Sequence, residues 1–255
     1  MLNSSMSVWH QIKKIKISKL ISLVFLITLI YLLHNSYIKL KDWLTDEQSL
    51  PLSSLVLTGN LEHVTATDVR SVLNEQKDRL NFFTLEITQI QAELENKPWV
   101  YSASIRKHWP DTLKIHIVEQ RIGAIWNDRA LLNRAGDIIE ASPDDVTEEY
   151  VYLYGQNELS QEVLVTYREV NQLLKVNQFK ILSLSNDQRN STDIVLDKGI
   201  SLRLGKEQKL DRIQRFLSVF PMIEKQYDIN TIDYLDLRYD TGLAIGWKKV
   251  NNDVK

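Results

Sequence analysis

The chain has 255 residues, of which 44% are hydrophobic and 25% are charged, as is ordinary for a folded protein. It contains no cysteine, which excludes a scaffold that depends on disulfides. The formal net charge of −2 excludes the strongly basic character by which a whole chain attracts nucleic acid.

An apolar run near the N-terminus predicts one membrane-spanning helix. Residues 20–33 read LISLVFLITLIYLL, and a cluster of lysines from Lys13 to Lys19 precedes them without any acidic residue. A bilayer core needs about 20 apolar residues in a helix, so the predicted span extends over residues 20–38. Because lysine and arginine favour the cytoplasmic end of a span, we expect residues 1–19 in the cytoplasm and the bulk of the chain outside.

Two other interpretations of this run are less consistent with its surroundings. A cleaved signal peptide shares the charged start and the apolar stretch, but small residues of the A-x-A type should follow, whereas residues 34–39 read HNSYIK. A buried core helix would strand the flanking lysines in an apolar interior. We therefore predict an uncleaved, single-pass anchor.

The first segment beyond the span predicts a small α+β domain. Residues 39–52 are polar, include Pro51 and are expected to form a linker. Thr65 and Asp68 have the spacing of a helix-capping box, and Pro98 is expected to end a second helix. The pattern predicts the order β-α-α-β-β, with a strand over 54–60, helices that include 69–73 and 87–94, and strands over 100–106 and 113–119.

After Gln120 the pattern changes to short strands interrupted by two helices. We expect Pro221 to end or kink the second of these helices. The predicted helices include 163–174 and 210–220, and the predicted strands lie within 123–139 and over 150–154, 179–184, 194–196, 200–204, 234–238 and 243–247. The fold class is therefore α+β, with one domain over 53–120 and a mixed β-sheet domain with packed helices over 121–255.

No residue pattern signals catalysis, and we expect no catalytic residue, metal or cofactor. The five histidines lack metal-ligand spacing, and His116 lies on the polar side of an alternating strand. Residues 199–206 have the wrong spacing for a phosphate loop. Paired carboxylates need no local motif, so the acidic pairs at 144–145 and 148–149 leave a cell-wall hydrolase open as an alternative.

The end of the chain is typical of a binding surface. Tyr239, Thr241, Gly242, Gly246 and Trp247 combine aromatic and small residues in a predicted terminal hairpin. Aromatic residues are common binding hot spots, and a final strand with an open edge accepts a partner strand. The alternative is that Trp247 fills the core of its own domain, and residue types alone do not separate the two interpretations.

Several segments, in order along nearly the whole chain, resemble the FtsQ (FtsQ/DivIB) family of bacterial cell-division proteins. They are VLTGN at 56–60, NFF at 81–83, PWV at 98–100, RKHWPDTL at 106–113, EQRIGAIW at 119–126, NRAG at 133–136 and LDLRYDTG at 235–242. The ordered set with its terminal motif is more specific than any single segment.

This resemblance implies a POTRA domain over 53–120 and a non-catalytic scaffold of the divisome in the inner membrane at the septum. The N-terminus would be cytoplasmic and the bulk periplasmic. The implied partners are FtsB and FtsL, with other division proteins bound through the POTRA domain, and no nucleic acid. In the family, a segment of FtsB adds a strand to the terminal sheet.

The resemblance also implies which residues contact that segment. Arg238 would pair with a carboxylate, Tyr239 and Trp247 would be apolar anchors, and Gly242 would permit close approach. Thr241 belongs to the same motif, and Arg189 would be the counterpart of a basic residue in the family. A POTRA-bearing chaperone or polypeptide-transport accessory is the alternative, although helices interrupt the strands after residue 120.

Overall fold

The computed structural model describes residues 17–45, 53–75, 82–83 and 85–248. Helix α1 (Ile17–Thr45) contains a stretch, Lys19–Leu44, with a mean hydropathy of 1.8 and no buried residue, which is long and apolar enough to cross a membrane. The helix is longer than predicted, since residues 39–45 were expected in a linker. Most of the expected cytoplasmic tail, residues 46–52 of the expected linker, and Asn81 lie outside the described residues.

The first compact unit after α1 has the predicted order β-α-α-β-β. Its elements are β1 (Ser54–Thr58), α2 (Ala66–Glu75), α3 (Ile87–Glu95), β2 (Val100–His108) and β3 (Thr112–Glu119). The strand order in the sheet is β1-β3-β2, with β1 parallel to β3. The Thr65–Asp68 capping box is confirmed, because the Thr65 amide donates to the Asp68 carboxylate at 2.8 Å.

Strand β3 shows why one face of this sheet is buried. Leu113, Ile115 and Ile117 are buried and alternate with exposed residues, which is the pattern of a sheet with one wet face. His116 lies on the wet face, as predicted, and its Nδ1 is 3.1 Å from the Thr58 hydroxyl.

The second compact unit is built on a nine-stranded mixed sheet. Its strands are β4 (Ile122–Trp126), β5 (Ala130–Asn133), β6 (Ile138–Ile139), β7 (Tyr152–Tyr154), β8 (Ile181–Asn186), β9 (Thr192–Leu196), β10 (Ser201–Gly205), β11 (Ile232–Asp236) and β12 (Ala244–Trp247). The order across the sheet is β12-β11-β10-β9-β8-β7-β4-β5-β6, so β12 and β6 are its two edges.

Two helices, α4 (Ser160–Val176) and α5 (Lys209–Gln226), pack their apolar sides on one face of this sheet. The rings of Phe179, Phe216 and Phe220 meet at the centre of the core, with centroids 5.0 to 5.2 Å apart. Alternation along β4 places Ile125 on the opposite face, where it packs with Leu131 and Ile139 in a smaller cluster.

Helix α5 continues through Pro221 to Gln226, so of the two expected effects of this proline, an end or a kink, the end is wrong. A proline already has a φ compatible with a helix, and its main cost is one lost backbone hydrogen bond and a steric clash with the preceding turn. Phe220 and Ile223 are buried on either side of it. Their burial offsets that cost and carries the helix past the proline.

Candidate functional site

The final strand, β12, presents an open edge. It pairs with β11 on one side, and no strand of the described residues pairs with it on the other. The Lys248 amide donates to the Thr231 carbonyl at 2.8 Å, so Lys248 faces β11. Because backbone direction alternates along a strand of an antiparallel pair, the amides and carbonyls of Ile245 and Trp247 point outward. These groups can pair with an added strand.

Trp247 lies at this edge and does not fill the core. Its residue surface is 48% exposed, and its ring packs edge-to-face on Tyr227, with centroids 5.2 Å apart. The interpretation of Trp247 as a core residue is therefore wrong. An indole that is half exposed beside unpaired backbone groups is typical of a binding anchor.

On the face of β12 opposite Trp247, the strand carries only the small residues Ala244 and Gly246. The ring of a neighbouring tyrosine on β11 explains why position 246 is a glycine. Tyr234 lies opposite Gly246 on β11, and its ring covers the glycine so closely that a Cβ there would be 2.2 Å from the nearest ring carbon. The Arg203 guanidinium stacks on the same ring, 3.6 Å from its centroid. The Tyr234 ring therefore covers this face of β12 and stiffens the strand, and only a glycine at position 246 leaves room for the ring.

The turn that connects β11 to β12 contains most of the predicted contact residues. Tyr239 is 56% exposed, and Thr241 is also exposed. Gly242 has a φ of +87°, a backbone conformation that glycine adopts without strain, and nothing lies within 4 Å of the position of an added Cβ. A partner can approach this side of the turn without meeting a side chain of residue 242.

Arg238 has a partner within its own domain. Its Nη2 and Nε donate to the Asp236 carboxylate at 2.6 and 2.9 Å, and its backbone amide donates to the same group at 3.1 Å. The Asp236 side chain is 7% exposed and that of Arg238 is 55% exposed. The hydrogen bonds from Arg238 hold the pKa of Asp236 below its ordinary value of 3.8. Arg238 is therefore held in place before any partner arrives.

Two arginines of helix α5 reach the same turn, and sequence reasoning missed both. Arg212 donates through Nη2 to the Arg238 carbonyl at 3.3 Å and through Nη1 to the Leu204 carbonyl. Arg215 donates through Nη1 to the carbonyls of Tyr239 and Gly242, the latter at 3.2 Å. The missed signal was Arg212, a cation four positions before the buried Phe216 on the apolar side of the helix.

Arg189 lies in a different turn from the other predicted contact residues. It is exposed in the connection between β8 and β9, where its amide donates to the Asp187 carboxylate at 2.8 Å. Strand register places this connection at the same end of the sheet as the terminal turn, with β10 between β9 and β11. The structure thus brings Arg238 to Gly242 into one turn next to β12, and Arg189 to the same end of the sheet.

One carboxylate of each acidic pair is engaged in a local contact. Glu149 pairs with Lys180 at 2.9 Å, and this contact lowers the pKa of the carboxyl, whereas a general acid needs a raised one. The Asp145 carboxylate accepts from the Ser142 amide in a helix-capping box. Within the described residues, no cluster of histidine, aspartate or glutamate has the arrangement of a metal site.

Comparison with known proteins identifies two families of domain in order along the chain. Residues 50–120 match the POTRA domain of FtsQ type, and residues 124–238 match the C-terminal region of the cell division protein FtsQ/DivIB. Both matched regions lie in the order that the sequence motifs predicted.

Full-length relatives agree with the domain matches. The cell division protein FtsQ of Shewanella oneidensis is 40% identical over 217 residues, covering 85% of this chain and 79% of the relative. The Aliivibrio fischeri protein of the same name is 36% identical, covering 81% and 80%. That of Escherichia coli is 34% identical over 234 residues, covering 90% and 85%.

Proposed function

The chain belongs to the FtsQ/DivIB family of cell-division proteins, and from this premise we propose that it is a non-catalytic scaffold of the divisome. In this proposal it binds FtsB and FtsL through its periplasmic part and links early to late division proteins at the septum. Other divisome proteins bind residues 53–120, and neither a cofactor nor nucleic acid takes part.

The proposed orientation follows from the charge around α1. The lysines that precede the apolar run place its N-terminal end in the cytoplasm by the positive-inside rule, and residues beyond the helix in the periplasm. The chain would then be a single-pass inner-membrane protein of type II. This arrangement exposes the β12 edge to the periplasmic segments of the partners.

The observation that carries the proposal is the open edge of β12 beside two exposed aromatic side chains. An added strand gains backbone hydrogen bonds with the outward groups of Ile245 and Trp247. Backbone pairing alone is indifferent to sequence, so specificity needs side chains. Trp247 and Tyr239 are the exposed anchors next to that edge.

Arg238 remains a proposed contact residue, but its guanidinium already donates to Asp236 within the domain. Nε and Nη2 are occupied by Asp236, whereas Nη1 forms no hydrogen bond within the described residues. A partner carboxylate would therefore share the guanidinium with Asp236. Thr241 and Gly242 complete the proposed contact surface, with Arg189 as an outlying contact at the same end of the sheet.

A binding titration on the full chain in lipid nanodiscs tests this function. The probe is the periplasmic segment of FtsB from the same organism, and the variants are Trp247→Ala and Tyr239→Ala. We expect each variant to lose about 2 kcal/mol of binding free energy, which is the size of a hot-spot truncation. Circular dichroism of each variant reports whether the fold is retained.

The chain offers matched controls for both substitutions. Trp109 and Tyr101 are 74% and 61% exposed and belong to residues 53–120, not to β12 or the turn before it, so Trp109→Ala and Tyr101→Ala remove similar surface aromatics. Both should bind FtsB as the parent does. If Trp247→Ala and Tyr239→Ala also bound like the parent, the proposed site would be wrong. Equal binding of unrelated unfolded polypeptides would instead favour a chaperone.

A further inference from the structure

Arg212 is buried at one end of the sheet, where it connects α5, β10 and the segment that follows β11. It is rooted on α5, and its guanidinium donates to carbonyls at Leu204, the penultimate residue of β10, and at Arg238, just after β11. Only 9% of the residue is exposed. Its Nη1 and Nη2 atoms each meet a carbonyl, whereas Nε is buried without a hydrogen-bond partner within the described residues. Because burying a charged group is costly unless it is hydrogen-bonded, these two carbonyls are the contacts that hold the guanidinium in position.

Arg215 lies one helical turn further along α5 and is directed entirely to the terminal turn. Its side chain donates to the carbonyls of Tyr239 and Gly242, and forms no other hydrogen bond within the described residues. These two carbonyls belong to the first and last residues of the exposed tetrapeptide 239–242. One guanidinium therefore spans the turn and holds its two ends at a set separation.

The backbone at Gly205 confirms how closely this region is packed. Gly205 has a φ of +71°, and a Cβ there would lie 2.9 Å from Nη1 of Arg212 and 3.2 Å from Cγ of Arg238. Glycine is therefore needed for the backbone conformation and for the space that the two arginines occupy. The contact also connects Arg212 to Arg238, whose own guanidinium is held by Asp236.

We propose that Arg212 and Arg215 form an arginine brace, meaning a pair of positioning residues on α5 that hold the turn 238–242 in its binding conformation. The inference rests on the proposed function of the β12 edge and names residues that act without touching the partner. Apart from Arg238, which Asp236 holds, the turn consists of three exposed residues and an unhindered glycine, so little in the side chains of residues 239–242 orders it. Ordering it before binding removes a cost that the partner would otherwise meet.

Arg215→Ala is the informative variant, because Arg212 is buried and its removal endangers folding. Beside the turn, the amides of Leu237 and Arg238 donate to the Arg203 carbonyl and the Asp236 carboxylate. Hydrogen exchange of these two amides, measured on the full chain in nanodiscs without partner, should become at least about tenfold faster in Arg215→Ala, as expected when local opening is made easier. Exchange in β8 and β9 should stay unchanged. Arg215→Lys retains one donor and should restore part of the protection.

Binding of the FtsB segment is the second readout. We expect Arg215→Ala to bind about tenfold more weakly, equivalent to about 1.4 kcal/mol, with most of the loss recovered by Arg215→Lys. Arg168→Ala is the matched control, because Arg168 lies on α4 and likewise donates to a backbone carbonyl, that of Arg134. It should leave both binding and exchange at Leu237 and Arg238 unchanged.

The outcomes separate the brace from the binding site itself. Unchanged exchange at Leu237 and Arg238 in Arg215→Ala would overturn the brace whatever the binding result. Faster exchange with parental binding would also overturn it, provided that Trp247→Ala loses binding in the same assay. If Trp247→Ala bound like the parent, the fault would lie in the proposed function, and the exchange result alone would decide whether the arginines order the turn.

Discussion

The two edges of the nine-stranded sheet differ in how they meet solvent. At one end, β6 has two residues, Ile139 is buried, and the chain turns at once into the short helix Pro143–Asp145. At the other end, β12 has four residues and finishes at the half-exposed Trp247. Short edge strands are a usual protection against unwanted strand pairing. The β6 edge has that protection and the β12 edge lacks it.

The turns beside the two edges are also held differently. Next to β6, the Asn133 side chain accepts hydrogen bonds from the amides of Ala135 and Asp137, so the turn is ordered by its own residues. Next to β12, the carbonyls of the turn are held by arginines of a distant helix. Because these contacts come from the helix, the outer surface of the turn stays free, which suits the proposed binding surface.

The largest expected effect comes from blocking strand addition at the β12 edge alone. The Ile245 amide points outward, so Ile245→Pro removes no hydrogen bond from the β11–β12 pair but prevents pairing with an added strand. We expect at least about a hundredfold loss of FtsB binding, since each 1.4 kcal/mol is a factor of ten. Titration of the FtsB segment onto surface-bound nanodiscs that hold the full chain measures this loss of affinity.

The β6 edge supplies the control for that experiment. The Asn133 amide donates to the Asp137 carbonyl, so by alternation the Ile138 amide points outward from β6. Ile138→Pro is then the same substitution at the opposite edge, and it should bind FtsB as the parent does. Equal loss in both variants would indicate a general effect on the sheet and would remove the distinction between the edges.

A second prediction concerns the stiffness of β12. Gly246→Ala introduces a methyl group 2.2 Å from the Tyr234 ring, so the ring or the strand must move. We expect the free energy of unfolding to fall by about 1–3 kcal/mol, as for other overpacked sites. Thermal unfolding measures this. The double variant Gly246→Ala/Tyr234→Ala should lose less than the sum of the single effects, and strict additivity would contradict the described contact.

The smallest expected effect is a pH dependence at Arg238. The folded-state pKa of Asp236 lies below its ordinary 3.8, so the stability from this pair is present above pH 3.8 and is lost as the pH falls through the lower folded value. Asp236→Asn should therefore be less stable than the parent at pH 7, by about 1 kcal/mol because Arg238 is partly solvent-screened, and the two should converge only once the pH has fallen through the folded pKa, below 3.8.

The control for the pH experiment lies in the same turn. Asp240→Asn removes an exposed carboxylate near Arg238 without touching the Asp236 pair. Its stability difference from the parent should be smaller at pH 7. A difference between parent and Asp236→Asn that persisted unchanged on acidification would show that the carboxylate charge is not the stabilising group.

Much of the fold was predictable because its signals are local. The capping box at Thr65, the alternation in β3 and the positions of the hairpin turns depend on residues close in sequence. The length of α1 was not predicted, and the sequence left open whether α5 ends at Pro221 or passes through it with a kink. Helix ends are weakly marked in sequence, and burial of Phe220 and Ile223 overrides the local preference of the proline.

Sequence motifs selected the residues of the candidate site, and the site remains a prediction. The terminal segment pointed to Arg238, Tyr239 and Trp247. The structure places Trp247 on the open edge strand and the other two in the turn before it, with the Arg238 side chain close to Gly205 of β10. The intramolecular pairing of Arg238 with Asp236 was not foreseen, although the two residues are two positions apart. A sequence shows that opposite charges are close along the chain, but not whether the backbone turns one onto the other.

The sequence by itself determined the kind of protein: an apolar anchor, a β-α-α-β-β segment, a strand-rich segment with two helices, and the ordered motifs of the FtsQ/DivIB family. Only the tertiary structure decided that β12 is an edge, that Tyr234 covers Gly246, and that arginines of α5 reach the terminal turn. Those arginine contacts join residues 24 to 27 positions apart. Their formation depends on how a helix packs on a sheet, which periodicity along the chain does not specify.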